Sequence, residues 1–317
     1  MSVLLESVFT LLKRQNAEII GEALHNIFDL SEKAETGLVD LFLSLPGLCC
    51  KSLGGDPELA VGVASAWEVL YLAAQLLDTV ADDGEFVTNL GLTVTLSVSF
   101  IPVGRMLLQE QTNQGLSVEI CNDILEDFDR TLLRACLGQV RDLTEKEPSL
   151  DKCWEITSEK TGEIFALATR SGARLCSRNQ KVIALFSDLG RHLGFLVQIG
   201  DDVNGLWSQG NTRSDLALGK WTLPISYAMQ VLPLPEKKRL KAYLDMANSD
   251  TRFEVAARRM IVEAGALFYL AAETDRYRHY ASKALTQAIP AKLDRRELMD
   301  VINRATAWIY SDANKVV

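Results

Sequence analysis

Two adjacent carboxylates, Asp201 and Asp202, stand at the end of an apolar stretch of the sequence, and Lys220 follows them about five helical turns later. Two ionised carboxylates side by side repel each other, and burial strengthens the repulsion. A hard divalent cation relieves it, because Mg²⁺ commonly takes one or two protein carboxylates and completes its octahedron with substrate phosphates and waters. These residues therefore suit a metal ion and an anionic ligand, although the pair taken alone is more typical of a solvated acidic helix end.

Asp78 and Asp82 form a second acidic pair, four residues apart and hence stacked on one face of a helix. Tyr71 and Ala74 continue that face towards the helix start, so that the carboxylates stand above an apolar, small-residue stripe. Carboxylates at the C-terminal end of a helix oppose its dipole, and we therefore expect a positive partner there. Two such acidic clusters above apolar residues are what a trinuclear Mg²⁺ site for a diphosphate would need.

The elements that carry these residues are predicted to be helices. Apolar residues from Leu189 to Leu206 recur at close to helical spacing, and Gln198 lies one turn before both aspartates on the same face. Strand-like composition occurs only from Leu92 to Ile101, where length and surroundings favour a buried helix. The pattern predicts one all-α domain over 1–317, with helices near 3–29, 34–45, 57–82, 88–109, 116–142, 149–177, 180–207, 221–231, 236–246, 251–285 and 294–311.

Composition bounds the partners and the compartment. The chain has 33 basic and 42 acidic residues and a net charge of −9, which argues against nucleic acid and anionic lipid as partners. Its six cysteines lack CxxC pairs, so we expect a reducing, cytoplasmic location. The N-terminus lacks a signal-peptide pattern and no uninterrupted apolar run reaches about 18 residues, so no transmembrane segment is expected. Three scattered histidines, without a nucleophile elbow, P-loop or Rossmann glycine pattern, argue against a histidine base.

The chain resembles the isoprenyl (polyprenyl) diphosphate synthases, the trans-prenyltransferase family of the class I terpenoid synthase superfamily. The most specific segment is FxxQIxDDxxG…SDLxxGKxTLP, which runs from Phe195 to Pro224. Five supporting segments keep the family's order and extend the resemblance from about Gly54 to about Ile309: Leu53–Pro57, Glu68 with Asp78, Glu159–Thr161, Ser171–Ala173 and Val262–Ala266.

The resemblance implies an isoprenoid synthase fold, a bundle of about ten or more helices around a central active-site cavity. It also implies a homodimer through long central helices, for which Leu92–Leu108 is apolar enough. An allylic prenyl diphosphate would be the substrate, bound with Mg²⁺, three ions in all. The implied metal ligands are Asp78, Asp82, Asp201 and Asp202, the implied diphosphate-binding residues are Lys160 and Lys220, and Gln198 would lie near the reacting carbons.

Both acidic motifs depart from the family pattern. Thr79 stands where the first motif has its second aspartate, and Gly205 stands at the fifth position of the second motif. Gly205 is a tolerated family variant, whereas Thr79 is less usual. Asp83 could compensate for the missing aspartate, but it is rotated about 100° from Asp82 on an ideal helix.

The basic residues that would bind isopentenyl diphosphate are missing. The arginine pair expected after the first motif is absent from Gly84–Thr88, the basic segment expected near 37–43 reads GLVDLFL, and Tyr71 replaces a usual histidine. Losing several charge-assisted hydrogen bonds, each worth roughly 1.5–3 kcal/mol, should remove most affinity for a second diphosphate.

Three functions therefore stay open. The first is a Mg²⁺-dependent enzyme that ionises an allylic diphosphate and either cyclises the cation or passes it to an acceptor other than isopentenyl diphosphate. Ala73 and Ala74 are small, which suggests a pocket deep enough for a C15 to C20 or longer chain. The second is an ordinary chain-elongating synthase that uses other basic residues, such as Arg105, Arg170 or Arg174. The third is a non-catalytic regulatory subunit, which has no need of the retained carboxylates and lysines.

Overall fold

The computed structural model describes residues 3–23, 44–83, 89–207 and 213–308. Regular structure in these ranges is helical, without a strand, and the predicted all-α fold is confirmed. The first seven helices are α1 Val3–Arg14, α2 Leu45–Ser52, α3 Val61–Asp83, α4 Leu90–Glu110, α5 Val118–Thr144, α6 Leu150–Thr157 and α7 Glu163–Cys176. The remaining seven are α8 Gln180–Gly205, α9 Asp215–Leu218, α10 Leu223–Val231, α11 Leu234–Ala247, α12 Thr251–Glu263, α13 Ala266–Ala288 and α14 Arg296–Arg304.

Polar residues start several of the long helices. Asn89 accepts a hydrogen bond from the Leu92 N–H at the start of α4, and Ser117 accepts one from the Ile120 N–H at the start of α5. Such caps satisfy main-chain donors that have no partner within the helix. Together with the apolar spacing, they explain why the predicted bounds of these two helices lie close to the observed ones.

Glycines on α8 allow its backbone to contact the backbone of α7 and of the segment before it. A Cβ atom on Gly190 would come 2.3 Å from the carbonyl oxygen of Phe165 on α7, and one on Gly194 would come 2.9 Å from the Cα of Gly162. A side chain at either position would therefore push the helices apart. This close packing places the end of α8 beside the segment that joins α6 to α7.

That joining segment, Ser158–Gly162, is a π-helical turn. The sequence predicts one continuous helix over 149–177, and the chain is helical throughout this range apart from the wider turn. Single π-turns inside α-helices frequently lie at functional sites, because the extra residue changes the direction of the side chains around it. Lys160 and Thr161 lie in this turn.

Two predicted helices are interrupted. The predicted helix 251–285 is α12 followed by α13, because Gly265 adopts a positive φ of 87° between them. The predicted helix 3–29 breaks after α1 at Asn16, whose φ is 54°. The predicted helix 34–45 lies outside the described residues apart from its last two, and α2 with Pro46 in its first turn follows it.

Three helices are long and apolar enough to cross a membrane by length and composition alone: Pro57–Ala81, Leu90–Gln114 and Gln180–Gly205. The sequence criterion of an uninterrupted apolar run misses them because isolated charged residues interrupt each one. In the most apolar window of the first and third, 61% and 50% of the residues are buried inside the protein, against 33% for Leu90–Gln114. The first and third therefore owe much of their apolar composition to the core.

Candidate active site

A cavity of about 680 Å³ opens at the C-terminal end of α8. Its wall combines side chains from α3, α5, the π-helical turn, α8 and the segment from α9 to α10. The principal charged groups of the wall are Asp78, Asp142, Lys160, Asp201, Asp215 and Lys220. Residues that are more than 100 positions apart in the sequence thus meet at one site.

Lys160 bridges carboxylates of two different helices. Its Nζ lies 2.5 Å from Asp78 Oδ1 on α3 and 2.9 Å from Asp142 Oδ2 on α5. Burial alone would lower the pKa of Lys160, but the two carboxylates outweigh it and raise the pKa above its ordinary value. The lysine is therefore charged at every physiological pH, and it supplies the positive partner expected at the end of α3.

Asp142 is a site residue that sequence reasoning missed. It lies on α5 and contacts Lys160, and Gln139 one turn earlier donates from its Nε2 to Asp78 Oδ1 at 3.2 Å. The signal was an acidic and an amide residue three positions apart near the end of a predicted helix. Such a pair is common on solvated surfaces, so sequence alone could not single it out.

Asp201 faces the interior of the cavity. Its side chain is reached by solvent through the opening, yet protein surrounds it on its other sides. This desolvation raises its pKa to about 7; the negative charges of Asp215 and Asp78 raise it further, and Lys220 opposes them. The cavity thus holds more negative charge than its lysines balance, which is an environment that attracts a cation.

Asp215 occupies the space beside Gly205. A Cβ atom on Gly205 would come 1.9 Å from Asp215 Oδ2, and Lys220 Nζ lies 3.4 Å from Asp215 Oδ1. A carboxylate therefore stands next to the glycine that departs from the second acidic motif. Burial raises the pKa of Asp215, and Lys220 partly offsets that rise. Asp215 lies within the SDL segment that carries the family resemblance, where the sequence alone does not single it out.

Asp202 is turned away from Asp201. Its Oδ1 accepts a hydrogen bond from Gln198 Nε2 at 2.7 Å, and its Oδ2 accepts one from the Leu223 N–H at 2.8 Å. Burial raises its pKa to about 7 despite these two hydrogen bonds. Gln198 Oε1 in turn accepts a hydrogen bond from Thr161 Oγ1 at 2.8 Å.

The sequence matches the polyprenyl synthetase family over residues 48–260. The chain belongs to this family. It is 27% identical over 248 residues to the short chain isoprenyl diphosphate synthase of Methanothermobacter thermautotrophicus, covering 71% of this chain and 73% of the relative. It is 26% identical over 251 residues to the geranylgeranyl diphosphate synthase of Sulfolobus acidocaldarius, covering 74% and 76%. Members of the polyprenyl synthetase family are prenyltransferases that act on allylic diphosphates.

Solved structures of similar proteins share the fold. Geranylgeranyl pyrophosphate synthetase from Pyrococcus horikoshii superposes with a TM-score of 0.80 at 22% identity, covering 96% of this chain and 94% of that one. The enzyme from Geoglobus acetivorans gives a TM-score of 0.80 at 19% identity, covering 96% and 97%. At this identity the likeness establishes the isoprenoid synthase fold of this polyprenyl synthetase family member.

The donor set suits Mg²⁺ bound together with an anionic ligand. Asp78 and Asp201 offer hard oxygen donors from two different helices, and the pKa of Asp201 is raised by desolvation and further by the negative charges of Asp215 and Asp78. Within the described ranges no three carboxylate, thiol or imidazole groups lie close enough together to hold a metal ion unaided. Mg²⁺ needs only one or two carboxylates when phosphate oxygens complete its shell, so the residues fit. A similar structure, the polyprenyl synthase of Caulobacter crescentus, is complexed with calcium and isoprenyl diphosphate.

Other sequence predictions fall elsewhere. The side chains of Asp82 and Asp83 lie outside the described part of the chain, as do the segments 37–43 and 84–88, so the ligand role of Asp82 stays a prediction. The three arginines suggested as alternative diphosphate-binding groups do not line the cavity. Each pairs instead with carboxylates of α5: Arg105 with Asp129, and Arg170 and Arg174 with Asp127.

Proposed function

We propose that the protein is a Mg²⁺-dependent enzyme that ionises an allylic prenyl diphosphate and does not use isopentenyl diphosphate as the acceptor. The cation would be cyclised, or captured by another acceptor. The observation that carries the proposal is the composition of the cavity. It unites Asp78, Lys160, Asp201 and Lys220, yet the cations that line it among the described residues are all lysines, without an arginine or a histidine.

The leaving diphosphate would be held by the lysines. Lys160 and Lys220 both line the cavity, one from the π-helical turn and one from the segment before α10. When the C–O bond breaks, its electron pair goes to the diphosphate oxygen, and preorganised positive charge at that oxygen stabilises the transition state. Mg²⁺ held by Asp78 and Asp201, with Asp82 as a predicted further ligand, would add to that charge neutralisation.

An apolar wall would shield the allylic cation from water. Tyr71 lies two turns before Asp78 on α3, and its ring stacks on Trp67 with centroids 5.2 Å apart and meets the edge of Phe165 at 5.9 Å. Burial raises the pKa of Tyr71, with the charge of Asp201 adding to it, so the phenol is neutral. Aromatic faces exclude water and tolerate a nearby cation.

The prenyl chain would run along α3. Ala73 is buried and Ala74 half-buried, one turn before Asp78, so neither side chain fills much space below the carboxylates. We infer a substrate of C15 to C20 or longer. Turnover restricted to a C10 substrate would contradict this part of the proposal.

A chain-elongating synthase is the second candidate. The relatives favour it, since the similar proteins of Methanothermobacter thermautotrophicus and Sulfolobus acidocaldarius are a short chain isoprenyl and a geranylgeranyl diphosphate synthase. Against it stand the sequence of 84–88, which has no lysine or arginine, and the engagement of Arg105, Arg170 and Arg174 away from the cavity. A regulatory subunit is disfavoured because it would not need the carboxylates and lysines that meet in the cavity.

A homodimer is part of the proposal. Exposed apolar side chains occupy the first half of α4 and the second half of α5. The two helices run antiparallel where they meet, since Cys121 contacts Leu108 and Asp129 pairs with Arg105. The exposed residues are Leu90, Leu92, Val94 and Val98 on α4, and Leu133, Leu137 and Val140 on α5. We call this surface the α4/α5 patch. A continuous apolar patch on a protein surface commonly marks an association site.

The decisive experiment incubates the protein with Mg²⁺ and allylic diphosphates of C10, C15 and C20 length, each with and without isopentenyl diphosphate. Diphosphate release and organic-extractable products are followed together. Conversion of an allylic substrate alone to a hydrocarbon or alcohol is the expected result. Products that lengthen only when isopentenyl diphosphate is added would establish the elongating synthase instead.

A further inference from the structure

The hydrogen bonds of Asp202 distinguish it from a metal ligand, whose oxygens are available to the ion. Both of its carboxylate oxygens already accept hydrogen bonds from protein donors, at 2.7 Å from Gln198 and 2.8 Å from the Leu223 N–H. The side chain is 6% exposed. Both aspartates line the cavity, but Asp201 is exposed whereas Asp202 is buried. Successive residues on a helix are rotated by about 100°, so the two carboxylates point in different directions.

The two hydrogen bonds join separate parts of the site. Leu223 is the first residue of α10, and Thr222 before it makes no side-chain cap hydrogen bond within the described residues. Asp202 therefore caps α10 from another helix, and a carboxylate is the favoured group at a helix N-terminus. Lys220 lies three residues before Leu223, so this cap fixes the segment that presents Lys220 to the cavity.

The other oxygen of Asp202 orients the amide of Gln198. Thr161 donates to Gln198 Oε1 while Gln198 Nε2 donates to Asp202. Turning the amide over would place its oxygen against the Asp202 carboxylate, although the Thr161 hydroxyl could still pair with the NH₂ group. A carboxylate accepts only, which leaves one orientation for this amide. The chain of hydrogen bonds runs from the π-helical turn through Gln198 and Asp202 to the start of α10.

We propose that Asp202 is a positioning residue, which sets the orientation of Gln198 and the placement of the Lys220 segment, rather than a ligand of the metal ion. The effect of Asp202 on catalysis rests on the proposed function. The hydrogen bonds from Thr161 through Gln198 to Asp202 are observed independently of it. Asp201 and Asp202, which form one acidic pair in the sequence, would thus have different roles.

The substitution Asp202→Asn separates the two roles. Asparagine can still accept from the Leu223 N–H through its oxygen, which leaves its NH₂ group facing Gln198. The amide of Gln198 must then turn over, and its NH₂ group would face the Thr161 hydroxyl, which can accept a hydrogen bond. The fold is retained, but the polarity of Gln198 is reversed. Asp201→Asn instead removes a charge that faces the cavity.

The first measurement is the stabilisation of each variant against heat by Mg²⁺ with inorganic pyrophosphate. We expect Asp201→Asn to raise the Mg²⁺ concentration for half-maximal stabilisation by about 10-fold or more, as loss of a charged contact would, and Asp202→Asn to raise it less than about 3-fold, within the spread of near-neutral changes. An equal loss in both variants would make Asp202 a metal ligand and overturn the inference. If the wild-type protein itself shows no stabilisation, the proposed function fails.

The second measurement is the steady-state rate of diphosphate release. Asp202→Asn should lower kcat about 10-fold or more while leaving KM for the allylic diphosphate nearly unchanged, because the reversed amide acts near the reacting carbons and not on substrate binding. The control is Ser117→Ala, which removes the cap of α5 far along the sequence from the site and should lower Tm without changing kcat. An unchanged kcat in Asp202→Asn would show that Asp202 only caps α10 and does not position Gln198 for catalysis, which would overturn the inference.

A double-mutant cycle tests the hydrogen-bond chain without any substrate. Thr161→Val removes the donor at the other end of the chain. Since both substitutions act on the orientation of Gln198, their effects on Tm should not add, and the double variant should shift Tm by less than the sum of the single shifts. Strictly additive shifts would show that the three side chains do not act as one unit.

Discussion

Lys160 Nζ lies 2.5 Å from Asp78 Oδ1, although 82 residues separate the two in the sequence. The lysine thereby occupies the carboxylate that is also a predicted metal ligand. A bound diphosphate offers Lys160 a stronger anionic partner, which would free Asp78 to hold Mg²⁺. In the proposed function the ion pair would therefore couple the arrival of the anion to the availability of the predicted metal ligand.

Replacing Lys160 by methionine should abolish most of the activity. The substitution keeps the length of the side chain but removes the charge that faces the leaving group, and loss of one such electrostatic contact costs about 10²–10³-fold in rate. Diphosphate release from an allylic substrate would measure it. The control is Lys152→Met, whose lysine pairs with Glu155 at the surface of α6 and should retain full activity. An unchanged rate in Lys160→Met would show that the lysine only holds Asp78 and Asp142 together.

Replacing Asp201 by asparagine should stabilise the metal-free protein at neutral and alkaline pH but not at acidic pH. The pKa of Asp201 is raised to about 7 in the folded protein, against about 4 when unfolded. Its protonated form therefore favours folding fully below about pH 4, and that stability is lost as the pH rises through about 7.

The measurement is Tm in EDTA over a pH series. Asp201→Asn should exceed the wild type most at about pH 8 and lose its advantage as the pH falls towards 4. Asp300→Asn on α14 is the control, because Asp300 is an exposed partner of Arg304. A constant difference across the series would contradict the raised pKa.

Gly205→Ala should weaken the binding of Mg²⁺ with pyrophosphate. The added methyl group would overlap with Asp215 Oδ2 at 1.9 Å and displace that carboxylate from its place beside Lys220. We expect roughly a 10-fold higher Mg²⁺ requirement in thermal stabilisation, as for other displaced supporting groups of metal sites. Gly200→Ala is the matched control on the same helix, since its Cβ would meet Trp308 at an ordinary 3.5 Å. An equal Mg²⁺ requirement in Gly205→Ala and Gly200→Ala would show that Asp215 does not contribute to binding Mg²⁺ with pyrophosphate.

Gly190→Ala should destabilise the fold. Its Cβ would lie 2.3 Å from the Phe165 carbonyl oxygen, and overpacking of this kind costs about 1–3 kcal/mol in the free energy of unfolding. Gly91→Ala in the first turn of α4 meets no atom within 4 Å and should be neutral or slightly stabilising. Denaturant unfolding compares them, and a neutral Gly190→Ala would mean that α7 and α8 can separate without cost.

A charge in the α4/α5 patch should disrupt the proposed homodimer. Leu133 is 73% exposed on α5, and Leu133→Glu would place an unpaired carboxylate in the interface, which is costly to bury. Light scattering after size-exclusion chromatography should report a dimer for the wild type and a monomer for this variant. Phe268→Glu changes an equally exposed residue on α13 and should remain dimeric. A wild-type monomer would contradict the proposal directly.

Local patterns in the sequence predicted the helices and their fold, because helical periodicity and caps act within a few residues. Spacing pointed to Asp78, Asp201 and Lys220, and the family resemblance added Lys160; all four line one cavity. Asp142 could not be found in this way, because its role comes from a contact with Lys160 across the bundle.

Tertiary contacts also explain why Asp201 and Asp202 differ. The sequence presents them as an equivalent pair, and only the position of α10 next to α8 decides which carboxylate accepts the Leu223 N–H. The break before α13 has a local cause in Gly265, but a single glycine within a periodic segment is tolerated too often in helices to be read as a break.

The close approach of α8 to the π-helical turn has a consequence for how such an enzyme can diversify. Main-chain atoms at Gly162 and Gly194 set the distance between α8, which carries Asp201, and the π-helical turn, which carries Lys160. In the proposed function the prenyl chain would contact side chains such as Tyr71 and Ala74 on α3, which could change without moving that frame. If the proposed function holds, mutation there would alter the length and shape of the product while the groups proposed to ionise the substrate stay in place.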